Sequence, residues 1–202
     1  MKRVDCMKTV APLTDGILCV TTQGGATNEW NTVRPSDGNL QMKTLGLGSS
    51  VGLGIALGVP HRKVVVFDGD GAVLMNLSGL VTVGWMQPKN LIHIVFDNKG
   101  YEASGATPTA TAFHANLAEL AKGAGIRSAV EVRTVAEFEQ AFKRALSADG
   151  PHFITAVVEI AKEVGQHTRY DEVENRYRFI RHLEKLEGRE ILAYPADISR
   201  AM

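Results

Sequence analysis

Short runs rich in Val and Ile alternate along this chain with segments of helical spacing, and that alternation restricts the fold more than any other feature. The runs lie at Ile17–Thr21, Lys63–Phe67, Leu91–Phe96 and Phe153–Ile160, with a weaker one near Ser128–Val132, and each reads as a buried strand. Between them, Ser49–Leu57, Leu77–Met86, Asn116–Lys122 and Val135–Leu146 carry the helical period. The pattern predicts an α/β fold, a doubly wound, mostly parallel sheet with helices on both faces. Ligands of such sheets bind beyond the carboxyl ends of the strands, where strand order reverses. The residues just after each strand are therefore the first candidates for chemistry.

Size and charge narrow the function. A chain of 202 residues reads as one domain, residues 1–202, with a helical extension over about 163–202. At this length folding buries roughly 70% of the surface of the unfolded chain, so Cys6 and Cys19 are not needed as a disulfide framework and are expected as reduced thiols. Lys plus Arg, 22, equals Asp plus Glu, 22, which removes the electrostatic case for a nucleic-acid or anionic-membrane partner. Apolar runs such as Ile154–Val158 are too short to span a bilayer, and Asp5 and Lys8 sit where a signal peptide needs apolar residues. We expect a cytoplasmic protein.

Two familiar patterns fit poorly. Gly48-Ser49-Ser50-Val51-Gly52 satisfies the nucleophile elbow of serine hydrolases, but the elbow needs a preceding strand, and NLQMKTL is a poor one. Gly46, Gly48 and Gly52, with Asp68 at the end of a later strand, imitate the dinucleotide-binding turn of an oxidoreductase, and the same missing strand weakens it. A stronger signal is Asp68-Gly69-Asp70-Gly71-Ala72. Its glycines let backbone N–H groups approach an anion, while Asp70 would repel that anion unless a divalent cation lay between them. The next strand ends in Asp97-Asn98-Lys99-Gly100-Tyr101. Neighbouring parallel strands would bring Asp70, the Asn98 amide oxygen and a carbonyl near Gly100 around one such ion. Ordinary strand-ending turns use the same residue types, so either turn alone decides nothing.

Taken together, Asp70 and Asn98 are separated like the ends of the G-D-G…N-N signature of thiamine diphosphate enzymes. The segment GDGAVLMNLSGLVTVGWMQPKNLIHIVFDNKGYEASGATPTAT resembles the diphosphate-binding domain of sulfopyruvate decarboxylase β subunits and of phosphonopyruvate decarboxylases. The match runs from about Leu40 to Gly125, and ENRYRFIRHLE is similar to the ends of such chains. The resemblance implies that Asp70, Asn98 and the Gly100 carbonyl hold magnesium, and that Gly69, Gly71, Ala72 and Tyr101 lie at the thiamine diphosphate. It also implies that Leu45-Gly46 props the bent cofactor. Lys43 and Thr44 stand where Gly and Ser are expected, Thr107 replaces a Gln, and QGGATNEW lacks an Arg-Glu pair; these departures bear on substrate rather than on cofactor.

The resemblance further implies a division of labour. In the family, the glutamate that activates the aminopyrimidine lies in a separate pyrimidine-binding domain, and this chain has room for one domain only. A β subunit is expected, paired with an α subunit that carries the pyrimidine domain in an α2β2 or larger hetero-oligomer. The reaction implied is decarboxylation of a small 2-oxo acid; an acetolactate-type ligation or another aldehyde-forming lyase reaction remains the alternative, as does a binding module with a dead cofactor site. Ser104 and His114, beyond the second turn, are candidate catalytic residues, and Glu102 is a candidate for proton transfer. No Arg lies between Arg62 and Arg127, so the loop after the metal turn offers an anionic substrate only Lys99, Ser104, Thr107, Thr109 and His114. Trp30 and Trp85 are expected in the core or at a subunit interface. A helix over Glu172–Leu186 is expected to dock through Val173, Tyr177, Ile180 and Leu183, with Arg176, Arg178 and Arg181 beside them.

Overall fold

The computed structural model describes residues 1–161 and 171–192, and helix and strand alternate through it from the first turn. In chain order the elements are α1 (Arg3–Val10), β1 (Leu18–Thr21), α2 (Gly25–Val33), β2 (Asn39–Gln41), α3 (Gly48–Gly58), β3 (Val64–Gly69), α4 (Asp70–Met75) and α5 (Ser78–Met86). They continue with β4 (Leu91–Asp97), the short β5 (Gly100–Tyr101) and β6 (Thr107–Pro108), α6 (Leu117–Gly123), β7 (Ser128–Val132), α7 (Val135–Ser147), β8 (His152–Val157) and α8 (Glu172–Glu187). Six strands form one sheet in the order β2-β1-β3-β4-β8-β7, and every pairing in it is parallel. This is the doubly wound α/β sheet that the alternation predicts. From β1 the chain crosses outward to β2 and then returns past β1 to β3, so strand order reverses between β1 and β3.

Because both faces are covered, successive residues of a strand enter different cores. Val65 and Phe67 of β3 and Ile92, Ile94 and Phe96 of β4 face a core shared with α1, α2 and α7. Val64, Val66, Leu91 and Val95 face the other, shared with α3, α5, α6 and α8. The first core is tied together by rings in sequence: Trp30 to Phe67 at 4.5 Å between centroids, Phe67 to Phe96 at 6.0 Å, and Phe96 to Phe138 at 6.1 Å. Trp30 is thus core, as expected. Trp85 is not: on α5 it is 80% exposed, in line with Val81 and Leu77.

Four features depart from the sequence reading. The helices α1 and α2 carry too few apolar residues to announce themselves, although Cys6, Met7, Val10 and Trp30 bury one side of them. Part of the segment judged a poor strand, Asn39–Gln41, pairs with β1 at the sheet edge. The last core strand ends at Val157, short of Ile160. The helix α8 docks on a face that overlaps the expected stripe only in part: Leu183 packs on the core, Val173 and Tyr177 are exposed, and Asn175 and Phe179 are buried. Its anchor is polar, and no apolar period reveals it: Asn175 Nδ2 donates to the Asn39 carbonyl at 2.9 Å and its Oδ1 accepts from the Gln41 N–H at 2.7 Å, closing the open edge of β2. Arg176, Arg178 and Arg181 pair with Glu172, Glu174 and Glu184 of the same helix. Of the extension expected over about 163–202, residues 163–170 and 193–202 lie outside the described residues.

Among the described residues no helix is long and apolar enough to cross a membrane. Cys6 and Cys19 are free and buried, and burial pushes both thiols up to about 12. We expect neither to react with iodoacetamide at pH 8 until denaturant is added, because the thiolate is the nucleophile; mass spectrometry of the native and unfolded protein checks this.

Candidate active site

The reversal of strand order opens a cleft at the carboxyl ends of β1, β3 and β4. Its lining includes Thr22, Gln23 and Gly24 after β1, Asp68 through Ala72 at the end of β3 and the start of α4, and Asn98 with Gly100 through Ser104 after β4. Register makes the convergence necessary: Thr21 lies beside Phe67, and Gly69 beside Phe96, so three strands end at one level. Beneath the cleft Asp68 binds those ends together. Its Oδ1 accepts from Thr22 Oγ1 at 2.7 Å and from the Gly69 N–H at 2.9 Å, and its Oδ2 pairs with His93 Nε2 at 3.2 Å. Asp68 is 1% exposed and fully engaged, which removes it as a ribose ligand and the dinucleotide reading with it. Ser50 is exposed in the first turn of α3, and residues 42–47 separate that helix from β2, so there is no sharp strand-to-helix elbow.

Asp70 opens α4 with no loop after β3. It is 2% exposed, and its Oδ2 accepts from Thr109 Oγ1 at 2.6 Å and Thr111 Oγ1 at 3.2 Å. Thr111 Oγ1 also lies 2.7 Å from Asp97 Oδ1, so its one proton is shared and the hydroxyls of Thr109 and Thr111 stand between two buried carboxylates. Burial, reinforced by the charge of Asp97, raises the Asp70 carboxyl to about 6 against the opposing hydrogen bonds from Thr109, Gly71 and Thr111. No cationic side chain among the described residues pairs with it. Among the described residues no group of three or more His, Cys, Asp or Glu side chains is placed to hold a metal ion. A cation here would rely on one carboxylate with amide, backbone, water and ligand oxygens, which is the donor set magnesium takes beside a phosphate. A buried carboxylate without a cation fits that role.

Asn98 lines the same cleft as Asp70 and is 8% exposed. Its Oδ1 accepts from the Gly100 N–H at 3.0 Å and its Nδ2 donates to Glu102 Oε2 at 2.7 Å. Glu102 is held in turn by Arg3 of α1, which reaches it at 3.1 Å through Nη1 and 3.2 Å through Nη2, while Nε and Nη2 grip both oxygens of Glu29 at 2.9 Å. Two glycines permit the close approaches. A Cβ on Gly25 would collide with the Arg3 guanidinium and the Glu102 carboxylate, and one on Gly71 would meet the Tyr101 ring at 2.6 Å.

The cleft therefore gathers Leu45, Gly69, Asp70, Gly71, Ala72, Asn98, Gly100, Tyr101 and Ser104. Gly46 stands behind the lining, its φ of +80° demanding glycine and its carbonyl accepting from Asn76 Nδ2 at 2.8 Å. His114 is exposed and does not line the cleft. Arg3 and the Gln23-Gly24-Gly25 turn line it and were missed by sequence reasoning. The turn had a signal, a Gly pair directly after a strand; Arg3, far upstream in a helix of ordinary composition, had none.

Residues 26–156 match the model of the family described as "Thiamine pyrophosphate enzyme, C-terminal TPP binding domain". The chain is 35% identical over 186 residues to the sulfopyruvate decarboxylase subunit beta of Methanocaldococcus jannaschii, covering 91% of this chain and 98% of that one. It is 37% identical over 136 residues to phosphonopyruvate decarboxylase of Streptomyces viridochromogenes, covering 67% of this chain and 34% of that protein. Among solved structures it is similar to a putative thiamin diphosphate-dependent enzyme from Mycobacterium smegmatis, with a TM-score of 0.67 and 19% identity over 80% of this chain and 32% of that one. It is similar also to benzoylformate decarboxylase from Polynucleobacter necessarius, with a TM-score of 0.64 and 21% identity over 83% of this chain and 34% of that one. The chain thus spans nearly all of the β subunit and about a third of the solved chains. The cleft at the strand-order reversal and the matched segment that builds it agree, and this chain belongs to the thiamine pyrophosphate enzymes as a C-terminal TPP binding domain.

Proposed function

We propose that this chain is the β subunit of a thiamine diphosphate-dependent 2-oxo acid decarboxylase of sulfopyruvate or phosphonopyruvate type. The observation that carries the reading is the match over 98% of the length of a sulfopyruvate decarboxylase β subunit, by a chain whose cleft holds a buried carboxylate and an amide oxygen. Asp70, Asn98 and the Gly100 carbonyl would hold magnesium, and the backbone N–H groups of Gly71 and Ala72 would meet the diphosphate. Leu45 would lie against the middle of the cofactor, and Tyr101, packed on Gly71, would bound it. When bound, thiamine diphosphate supplies a nucleophilic carbon and an electron sink for decarboxylation. The chain contributes position, a screened charge and dry walls. Ser104, exposed at the mouth, is the residue of this chain best placed to donate a hydrogen bond to substrate.

Among the described residues the cleft holds no free cation. Arg3 lies there, but it is paired with both Glu29 and Glu102, and the three formal charges sum to minus one. A sulfonate or phosphonate would draw its Arg or Lys from the partner chain. Curated relatives named "subunit beta" support a partner subunit, and α5 supports a place for it, since Leu77, Val81 and Trp85 form an exposed apolar line one turn apart. An α subunit with the pyrimidine domain, in an α2β2 or larger assembly, completes the reading. Pyruvate, sulfopyruvate, phosphonopyruvate and longer aliphatic 2-oxo acids assayed on the assembled subunits test it. We expect one of the two dianionic substrates to show the highest kcat/KM. Preference for an uncharged aliphatic acid would overturn the substrate assignment and leave the thiamine chemistry standing.

A further inference from the structure

An amide that ligates a cation through oxygen must be kept from turning its NH2 group inward, because the two ends of an Asn side chain are nearly the same size and of opposite polarity. Asn98 is held at both ends. The Gly100 N–H offers only a proton and meets Oδ1 at 3.0 Å; the Glu102 carboxylate offers only lone pairs and meets Nδ2 at 2.7 Å. One amide orientation satisfies both, and it leaves the second lone pair of Oδ1 for the cleft. Glu102 sits in a loop, yet it is not free to swing. Arg3 donates to both of its oxygens, and Arg3 is 6% exposed and fixed from behind by both oxygens of Glu29.

We propose that Glu102 is a positioning residue that fixes the Asn98 amide with its oxygen toward the metal, and that Arg3 and Glu29 hold Glu102 in place to do so. The proposal rests on the reading of Asn98 as a metal ligand. It gives the Arg3–Glu29–Glu102 cluster a task beyond closing the cleft wall: the first turn of the chain sets the geometry of a ligand that follows the fourth core strand. It also reassigns Glu102, whose oxygens are occupied by Arg3 and Asn98, from proton transfer to ligand support.

The test is a double-mutant cycle on the full chain assembled with its partner subunit, reading the Mg2+ concentration needed for half-maximal thiamine diphosphate binding by calorimetry. Glu102→Met keeps the length of the side chain and removes the acceptor; it should raise that concentration about tenfold or more, the scale seen when the support of a metal ligand is lost. Glu102→Gln keeps a carbonyl that accepts from Nδ2 and should stay within about threefold of wild type. The deciding variant is Asn98→Asp. Its two oxygens are equivalent, so there is no orientation to lose, and in that background Glu102→Met should not weaken Mg2+ binding, since it removes a neighbouring like charge. An equal loss from Glu102→Met in the wild-type and Asn98→Asp backgrounds would mean that Glu102 acts through packing alone and would overturn the proposal. So would wild-type affinity in Glu102→Met. Thermal unfolding in EDTA ranks the variants for fold independently of metal, and Glu102→Ala serves the same cycle if the Met variant does not assemble. A wild-type complex that binds the cofactor without Mg2+ would instead remove the metal reading itself.

Discussion

Replacing Asp70 by Ala is expected to abolish magnesium-dependent thiamine diphosphate binding. Asp70 is the one charged side chain of the proposed ligand set, and the diphosphate it would face is a polyanion. Removing one partner from a buried ion pair typically costs about 3–5 kcal/mol, which corresponds to more than two decades of affinity. The fold should survive. The carboxylate is 2% exposed, is raised by burial and by Asp97, and pairs with no cationic side chain among the described residues, so its removal relieves a strain of charge in the metal-free protein. Thr109 and Thr111 remain within 2.8 Å of one another and keep a partner. Calorimetry of the assembled subunits with cofactor and Mg2+ measures the loss, with unfolding in EDTA as the control for fold. Unchanged affinity in Asp70→Ala would end the metal assignment.

The purified chain by itself is expected to decarboxylate nothing, and activity is expected to appear when the partner subunit is added. Glu102, which lines the cleft, and Glu29 beyond it are both committed to Arg3, which leaves neither to activate the aminopyrimidine ring. In the proposed reading that task falls to a glutamate of the partner subunit. The apolar line of α5 offers a way to separate assembly from chemistry. Trp85→Asp places a charge at the residue that is 80% exposed in the isolated chain, and a buried aromatic anchor lost from an interface costs about 2 kcal/mol or more, some thirtyfold in affinity. Sedimentation should show the subunits dissociated and turnover lost at low protein concentration, with turnover recovering as concentration rises. Turnover by the chain shown partner-free by mass spectrometry would refute the two-chain reading.

Local order is what the sequence by itself determined. Strands buried on both faces need continuous apolar residues, so β1, β3 and β4 declare themselves to within about two residues, and the parallel sheet follows from the helices between them. The turns at Asp70 and Asn98 were legible because backbone approach to an anion demands glycine and a divalent cation demands oxygen, and both demands fall on adjacent residues. Sequence alone also placed the two turns on neighbouring strands. Tertiary structure decided the rest, where a residue's role depends on a partner remote in the chain. Arg3 meets Glu102 across 99 positions and Asn175 meets Gln41 across 134, distances over which no period or motif operates. Both contacts are polar, so a reading built on hydrophobic spacing passes over them: it missed the Asn175 anchor of α8 and left α1 unrecognised. The same limit left open whether Trp85 is core or interface and whether His114 reaches the cleft. Whether a Trp on an apolar helix is core, or a His after a binding loop reaches the cleft, depends on which way the backbone turns between elements, and that direction is fixed by packing on the whole sheet.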